Sequence, residues 1–527
     1  MISLNIPSYL LASYLKRIKG LNTPAKIINF ALRRYRKRIV LIQPEKNLEL
    51  SYYDLFLRVN SLIDFFVKKN LRRQEVISFY SQNCYEYFEV RCAAHLFNLV
   101  FFSIPSYLGE EEIIYFLKET KSKVFFYRNI SNLDRIRQET EVELFIDLDS
   151  DEYLKITSGK VISLPKIKIG SYDLATLNLS SATTVKTPKI VKITNNNWIA
   201  SLYNYILTSK VNLRKKIIFI SPISLSSAGS TTFLPLLFSG ATALMISEFS
   251  PSRFIGCIKK YEVNRIYLTA SWFLELFDWC KINNERLISV ENVIIGTERI
   301  PYPRLREAIE FFGPKISIGY GMVEALPPLT MLLPSDYYHK GRVKTDILRS
   351  VGRISKGVQL KILDKNYDPL SYGKIGKIAI KSETVSAGYL GSVKENIKHF
   401  KDGWFYSEDY GFIDENGFLY LLGRKEEVVI KGETFTFTKE IEDKLYKFPF
   451  IDKCVVIPEG RQIFLFLSLK ERLGEREIKE KIFRFWEKEL DKSLLPKEVF
   501  IKKKLPITPL GKLDIKKIRE EVKSWLT

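Results

Sequence analysis

Four short segments carry side chains able to do chemistry. In Leu505-Pro506-Ile507-Thr508-Pro509-Leu510-Gly511-Lys512 a lysine sits behind a glycine turn, on a segment that leads into a basic helix. Such a lysine is a cation held out on an exposed, mobile tip, and its chemistry is to meet an anion. Leu177-Asn178-Leu179 reads as a strand that runs into Ser180-Ser181-Ala182-Thr183-Thr184-Val185-Lys186-Thr187-Pro188-Lys189. Clustered hydroxyls and a lysine behind a strand can wrap polyphosphate oxygens, with backbone N–H groups sharing the load. The run is not a Gly-x-x-x-x-Gly-Lys-Ser/Thr loop, and an ordinary polar surface loop has the same composition. In Gly319-Tyr320-Gly321-Met322-Val323-Glu324 two glycines let backbone approach a flat ligand. Tyr320 can stack on a base, and Glu324 can hold Mg²⁺ bridging to phosphate. In Trp404-Phe405-Tyr406-Ser407-Glu408-Asp409-Tyr410-Gly411 the aspartate reads as a turn residue able to accept hydrogen bonds from a ribose diol, with Arg424 in support. Each segment alone has a bland explanation; their joint occurrence points to a nucleotide site.

The rest of the chain has to position these segments. With 527 residues it can bury a large core and divide into at least two domains. A composition 46% hydrophobic and 27% charged excludes a disordered or fibrous chain. The net charge of +22 favours acidic partners. Five scattered cysteines without metal-ligand spacing suit a reducing compartment. Only three histidines argue against a structural zinc site or a histidine triad. No apolar run is long enough to span a bilayer, and the apolar patch at residues 6–11 lacks the flanks of a signal peptide; a cytoplasmic protein is expected. Apolar-throughout runs such as Val76-Ile77-Ser78-Phe79-Tyr80, Lys123-Val124-Phe125-Phe126 and Val293-Ile294-Ile295 alternate with helical patterns. That alternation predicts an α/β fold: mostly parallel sheets flanked by helices. From about 352 to 422 short strands with glycine turns indicate a β-rich subdomain. Past the charged segment Gly423-Arg424-Lys425-Glu426-Glu427 the pattern restarts. The expected division is a large N-terminal domain, 1–423, and a small mobile α+β C-terminal domain, 424–527.

In this order the segments resemble the adenylate-forming superfamily: acyl-CoA and fatty-acyl synthetases or ligases, adenylation domains of peptide synthetases, and firefly luciferase. The resemblance runs from Leu50-Ser51-Tyr52 to Lys512. Residues 319–324, 403–411 with Arg424, and 505–512 carry it most specifically. Pro235-Leu236-Leu237-Phe238-Ser239-Gly240-Ala241-Thr242, Gly296-Thr297-Glu298 and Gly388-Tyr389 keep family order. It implies activation of a carboxylate by ATP to an acyl-adenylate, with release of pyrophosphate, then transfer to a thiol of CoA or of a carrier protein. By position it assigns Ser180, Ser181, Thr183, Thr184 and Lys189 to the phosphate loop, and Gly319, Tyr320 and Gly321 to the adenine side. Glu324 becomes the Mg²⁺ residue, Asp409 and Arg424 serve the ribose, and Lys512 contacts the attacking carboxylate and the α-phosphate. Glu426 matches a hinge about which the C-terminal domain rotates between half-reactions.

Several positions depart from the family pattern. Ala182, Val185 and Ile190 stand where the phosphate loop has glycine; at φ > 0 such residues cost roughly 1–2 kcal/mol each. Val323 replaces a threonine whose bond to a charged oxygen is worth on the order of 1.5–3 kcal/mol. Asn195 replaces a histidine, Ser407-Glu408 replaces Thr-Gly, and the run after the hinge is one residue short. Two readings follow: a working ligase, or a catalytically impaired homologue acting as a nucleotide- or carrier-binding scaffold. Retention of Glu324, Asp409, Arg424 and Lys512 favours the ligase. Around the expected substrate pocket (Leu225, Ser226, Ala270 and Gly296) the side chains are mostly apolar. Amino-acid-activating members hold the ammonium with an aspartate near the place of Ser226, and a hydroxyl cannot neutralise that charge. A fatty or aryl acid is favoured. The positive charge suits CoA, an acidic acyl carrier protein, or peripheral contact with an anionic membrane. With no recognised DNA- or RNA-binding motif, nucleic acid is not an expected partner.

Overall fold

A computed structural model describes residues 20–158, 167–180, 188–210, 212–213, 215–431, 434–460, 462–470, 474–490, 494–508 and 511–526. Ser181, Thr183 and Thr184 of the expected phosphate loop lie outside the described residues.

The apolar runs form two large sheets. One has six strands in the order Leu144–Asp147, Val124–Tyr127, Val76–Tyr80, Val100–Ile104, Leu174–Leu179 and Ile190–Thr194, all parallel except the last pair. The other has nine strands, and its six central members are parallel. In sheet order these are Ile316–Tyr320, Asn292–Gly296, Arg265–Thr269, Ile218–Ser221, Thr242–Met245 and Ile39–Gln43. Their sequences are apolar on both faces because both faces are covered. Phe79, Phe101 and Phe126 of the smaller sheet share a core with Leu41, Phe219 and Ala243 of the larger one, through the helices Tyr52–Lys68, Glu86–Phe97 and Asn195–Ser209 between them. Ile220, Ile266 and Ile295 point the other way, onto helices Pro251–Tyr261, Ala270–Ile282 and Tyr302–Phe312. Phe102 and Phe125 pack outward on helix Glu110–Thr120. The layers therefore alternate helix, sheet, helix, sheet, helix.

The expected short strands form a five-stranded sheet, with Trp404–Ile413 its longest member, paired to Gly376–Ser382 and Leu419–Arg424. A 3₁₀ turn, Lys425–Glu427, leads away from it and contains the exposed Glu426. Beyond lie strands Ile451–Glu459, Gln462–Leu469 and Glu498–Lys502, the first pair antiparallel and the second parallel. They have cores of their own, one around Trp486, Ile478 and Leu465 and one around Phe464, Phe466 and Val522. Among the described residues no helix is long and apolar enough to cross a membrane.

Candidate active site

Parallel strands expose their carboxyl ends at one edge of a sheet, where ligands of α/β proteins collect. Strand Ile316–Tyr320 ends in Gly319 and Tyr320, so Tyr320 belongs to the strand rather than to the loop after it. The chain then turns tightly: a Cβ on Gly321 would lie 2.5 Å from Pro327 Cβ, so only glycine fits there. Glu324 is held from behind, its carbonyl accepting the Ser386 N–H at 2.8 Å.

Asp409 is not a turn residue. It sits in the ten-residue strand Trp404–Ile413, buried, because the alternation of that strand turns it inward. Its carboxylate accepts the Tyr320 hydroxyl at 2.7 Å and Arg424 Nε at 3.3 Å. Register explains the second bond: Asp409 lies opposite Arg424 on the adjacent antiparallel strand. Each carboxylate oxygen keeps a further lone pair for a ligand hydroxyl.

Glu324 accepts the Tyr389 hydroxyl at 3.1 Å. Burial raises its carboxyl above the ordinary glutamate range; hydrogen bonds, Tyr389's among them, and the Arg424 charge oppose that rise. Strand Ile190–Thr194 pairs through its backbone with 387–390: Leu390 N–H donates to the Ile190 carbonyl at 2.8 Å and Lys192 N–H to the Gly388 carbonyl at 2.9 Å. This brings Lys189 Nζ to 4.9 Å from the centre of the Tyr389 ring and into an ion pair with Glu395 on helix Val393–His399. Ser180 closes the base of the same loop, its hydroxyl accepting the Lys189 N–H at 3.0 Å. Sequence reasoning missed both Tyr389 and Glu395 as partners, since each meets its target across a separate element.

Lys512 differs most from expectation. Its segment is docked on the larger part of the molecule. Leu513 N–H donates to Glu298 Oε1 at 3.0 Å, while Glu298 Oε2 accepts the Ser271 N–H at 3.1 Å. The Thr269 hydroxyl donates to the Gly511 carbonyl at 3.1 Å. Asp443 on helix Thr438–Leu445 adds a second anchor, pairing with Arg299 and accepting the Tyr302 N–H at 3.1 Å. Lys512 is consequently half-buried rather than free. Burial draws its amine below the ordinary lysine range, with Glu298 opposing and Arg424 assisting. Among the described residues no carboxylate lies within ion-pair distance of it. Thr297, at the head of this docking surface, has φ +71° and a buried hydroxyl without a hydrogen-bond partner. A β-branched residue there stores about 1–3 kcal/mol of strain, a signature of functional backbone.

Tyr320, Glu324, Asp409, Arg424 and Lys512 thus converge, each within electrostatic reach of another. The family profile of the AMP-binding enzymes matches residues 29–390. The chain belongs to that family, the adenylate-forming enzymes. Among curated relatives of this AMP-binding enzyme, medium/long-chain-fatty-acid–CoA ligase FadD8 of Mycobacterium tuberculosis is 27% identical over 57% of this chain and 53% of its own length. The match thus spans about half of that relative. Feruloyl-CoA synthase of Amycolatopsis sp is 21% identical over 88% of this chain and 92% of that protein. The fold is similar to that of ATP-bound MatB from Rhodopseudomonas palustris, with TM-score 0.84, 19% identity, and coverage of 95% of this chain and all of that one. At the level of the family, membership supports ATP binding and ATP-dependent activation of an acid through an adenylate.

Of the expected substrate-pocket residues, Leu225 and Ser226 are consecutive, and Ala270 follows Thr269, which pairs with Gly296 on the adjacent parallel strand. Leu225 is in the helix-lined core, with its carbonyl accepting the Tyr87 hydroxyl at 2.8 Å. Ser226 is buried, its hydroxyl 2.7 Å from that of Ser224. Ala270 opens helix Ala270–Ile282 inside the opposite core. Gly296 alone lines an open apolar cavity, together with Gly319.

Proposed function

We propose that the protein activates a carboxylic acid, fatty or aryl, with ATP to an acyl-adenylate in the cytoplasm, then passes the acyl group to the thiol of CoA or an acyl carrier protein. The docking of the Lys512 segment beside Glu298, facing the Tyr320–Asp409–Arg424 cluster, is the observation that carries this reading. In the first step a carboxylate oxygen bonds the α-phosphorus, the bridge to the β-phosphate breaks, and pyrophosphate leaves with the electron pair. Lys512 brings two mutually repelling anions together and neutralises charge on the five-coordinate centre, which is positional and electrostatic catalysis. Asp409 offers its remaining lone pairs to the ribose hydroxyls. Mg²⁺ is held by one or two carboxylates plus substrate phosphates. Glu324, a single carboxylate in a region with no cluster of metal-ligating side chains among the described residues, fits an ion that arrives with the nucleotide. Thiol transfer needs Lys512 withdrawn, and Glu426 is the proposed pivot. Its carbonyl accepts Arg519 from the last helix at 2.7 Å, so turn and helix would move as one piece. The +22 charge supports an acidic carrier, the phosphates of CoA or an anionic membrane surface as contacts.

The test is exchange of labelled pyrophosphate into ATP over pooled acids, followed by thioester detection with CoA and with a carrier protein. Exchange with no acid, despite ATP binding, would replace this reading with that of a scaffold.

Two further outcomes follow from the partners of the site. Mg²⁺ requires ionised Glu324, so kcat/KM for ATP rises with pH as that carboxyl loses its proton. Tyr389→Phe removes a bond favouring the carboxylate, and the acid limb of the pH profile is expected to move to higher pH. A limb that stays in place would detach Glu324 from it. The Glu395–Lys189 pair is about three-quarters shielded and worth about 1 kcal/mol at most. Glu395→Gln releases the cation to a polyphosphate and is expected to lower KM for ATP by up to about fivefold; a higher KM would mean that Glu395 positions Lys189 rather than occupying it.

A further inference from the structure

A cavity of about 100 Å³ lies on the nine-stranded sheet, beneath helices Asn195–Ser209 and Phe233–Ser239. It begins at the active-site edge between Gly296 and Gly319, and a Cβ on Gly319 would meet nothing within 4 Å. Strand alternation continues it down the sheet, past Tyr267 to Arg265, because residues two apart share a face. Ile266 and Leu268, between and beyond them, belong to the opposite core. The walls are apolar, with Ile206, Leu213, Phe238, Ile294 and Met331 prominent, and no Asp or Glu lines them.

The polar wall groups fall into two sets. The hydroxyls of Ser201, Thr231, Thr232 and Ser239 are satisfied by the carbonyls of Pro327, Ala228, Gly229 and Pro235. Arg265, Tyr267 and Tyr205 have no side-chain hydrogen bond or ion pair among the described residues. A half-buried guanidinium lining a carboxylate-free apolar cavity is a donor without an acceptor, and the Tyr205 hydroxyl on the same wall can also donate, whereas the Tyr267 hydroxyl lies toward the other end, 3.1 Å from where a Cβ on Gly296 would be. Arg265 is four residues down the strand from Thr269, which holds Gly511 beside Lys512. At ~3.3 Å per residue the two cations mark the ends of a path of about 13 Å.

On the reading given under Proposed function, we infer that the acid taken by this site carries a second carboxylate at its far end, bound by Arg265 with Tyr205. The substrate class is a medium-length α,ω-dicarboxylic acid with an apolar middle. With C–C bonds of about 1.5 Å at tetrahedral angles, such a path takes roughly eight to ten carbons. One carboxylate is adenylated beside Lys512, and the other stays ionised on Arg265 and is released unchanged.

The experiment is pyrophosphate exchange with matched series of monocarboxylic and α,ω-dicarboxylic acids, on wild type, Arg265→Gln and Tyr205→Phe. The expected result is a diacid preference of about tenfold or more at the best length, the worth of one charge-assisted bond. Arg265→Gln should abolish that preference by lowering the diacid rate far more than the monoacid rate, and Tyr205→Phe should reduce it several-fold. Equal use of both series, or a diacid preference that survives Arg265→Gln, overturns the inference while leaving the ligase reading intact; Arg265 would then merely reach solvent from an apolar tunnel. If no acid exchanges, the ligase reading fails, and thermal shift decides the site separately. Diacid stabilising wild type but not Arg265→Gln sustains it; no difference between them removes it.

Discussion

Lys512→Ala is expected to lower acid-dependent pyrophosphate exchange by about 10²–10³-fold, the usual cost of removing one preorganised donor at a charge-developing centre. Thioester formation from a supplied acyl-adenylate should be almost untouched, because in the proposed mechanism that half-reaction proceeds with the lysine withdrawn. Gly511→Ala separates the charge from its placement. Gly511 has φ +72°, and a Cβ there would lie 2.2 Å from Trp272 Cε2. The lysine remains, but its segment can no longer seat, so exchange should fall nearly as far. If Lys512→Ala fails and Gly511→Ala exchanges normally, the docked arrangement is not the one that forms the adenylate. If Lys512→Ala still exchanges, the lysine has no catalytic part.

The second large effect is expected at Asp409. Asp409→Ala leaves the buried Tyr320 hydroxyl without its acceptor and removes the nearest of the carboxylates that act on Arg424. Arg424 is more than one-third exposed and recovers part of the loss from water. The stability cost is therefore about 1–3 kcal/mol rather than that of a fully buried pair. KM for ATP should rise at least about tenfold, since the ribose loses its acceptor. Asp409→Asn divides the two roles. Its amide oxygen still accepts from Tyr320, so most of the thermal stability returns, whereas the NH₂ presents a donor where a ribose hydroxyl needs an acceptor, and KM stays high. A normal KM in both variants would remove Asp409 from the nucleotide site and leave it a structural partner of Tyr320.

Much of this architecture is legible in the chain because the physics that produces it is local. Runs such as Val124–Tyr127 and Val293-Ile294-Ile295 are apolar throughout, as a strand covered on both faces is. The restart of pattern after Arg424 likewise marks the separate cores around Trp486 and Phe464. Contacts joining distant segments were not legible. Nothing near Glu324 in sequence names Tyr389, 65 residues on, and nothing near Lys189 names Glu395, 206 residues on. The turn assigned to Asp409 failed because a polar residue inside a strand looks like a breaker until its cross-strand arginine is known. Burial alone does not single out pocket residues, for a related reason. Leu225 and Ala270 are small or apolar, as pocket residues are, but so is a core. A different signal is the absence of a side chain: Gly296 and Gly319 near the ends of adjacent parallel strands, with an arginine at the start of the neighbouring strand.

The seating of Gly511 against Trp272 also has a spectroscopic consequence. An indole covered by a glycine tip is uncovered each time that tip lifts, and its emission responds to the arriving water. Trp272 also lies 5.4 Å from the ring of Phe249, centre to centre. If the segment lifts between half-reactions as proposed, Trp272 is an optical gauge of which one the protein is poised for. Stopped-flow fluorescence would time the changeover without any attached dye, and Trp272→Phe would identify the signal among the six tryptophans.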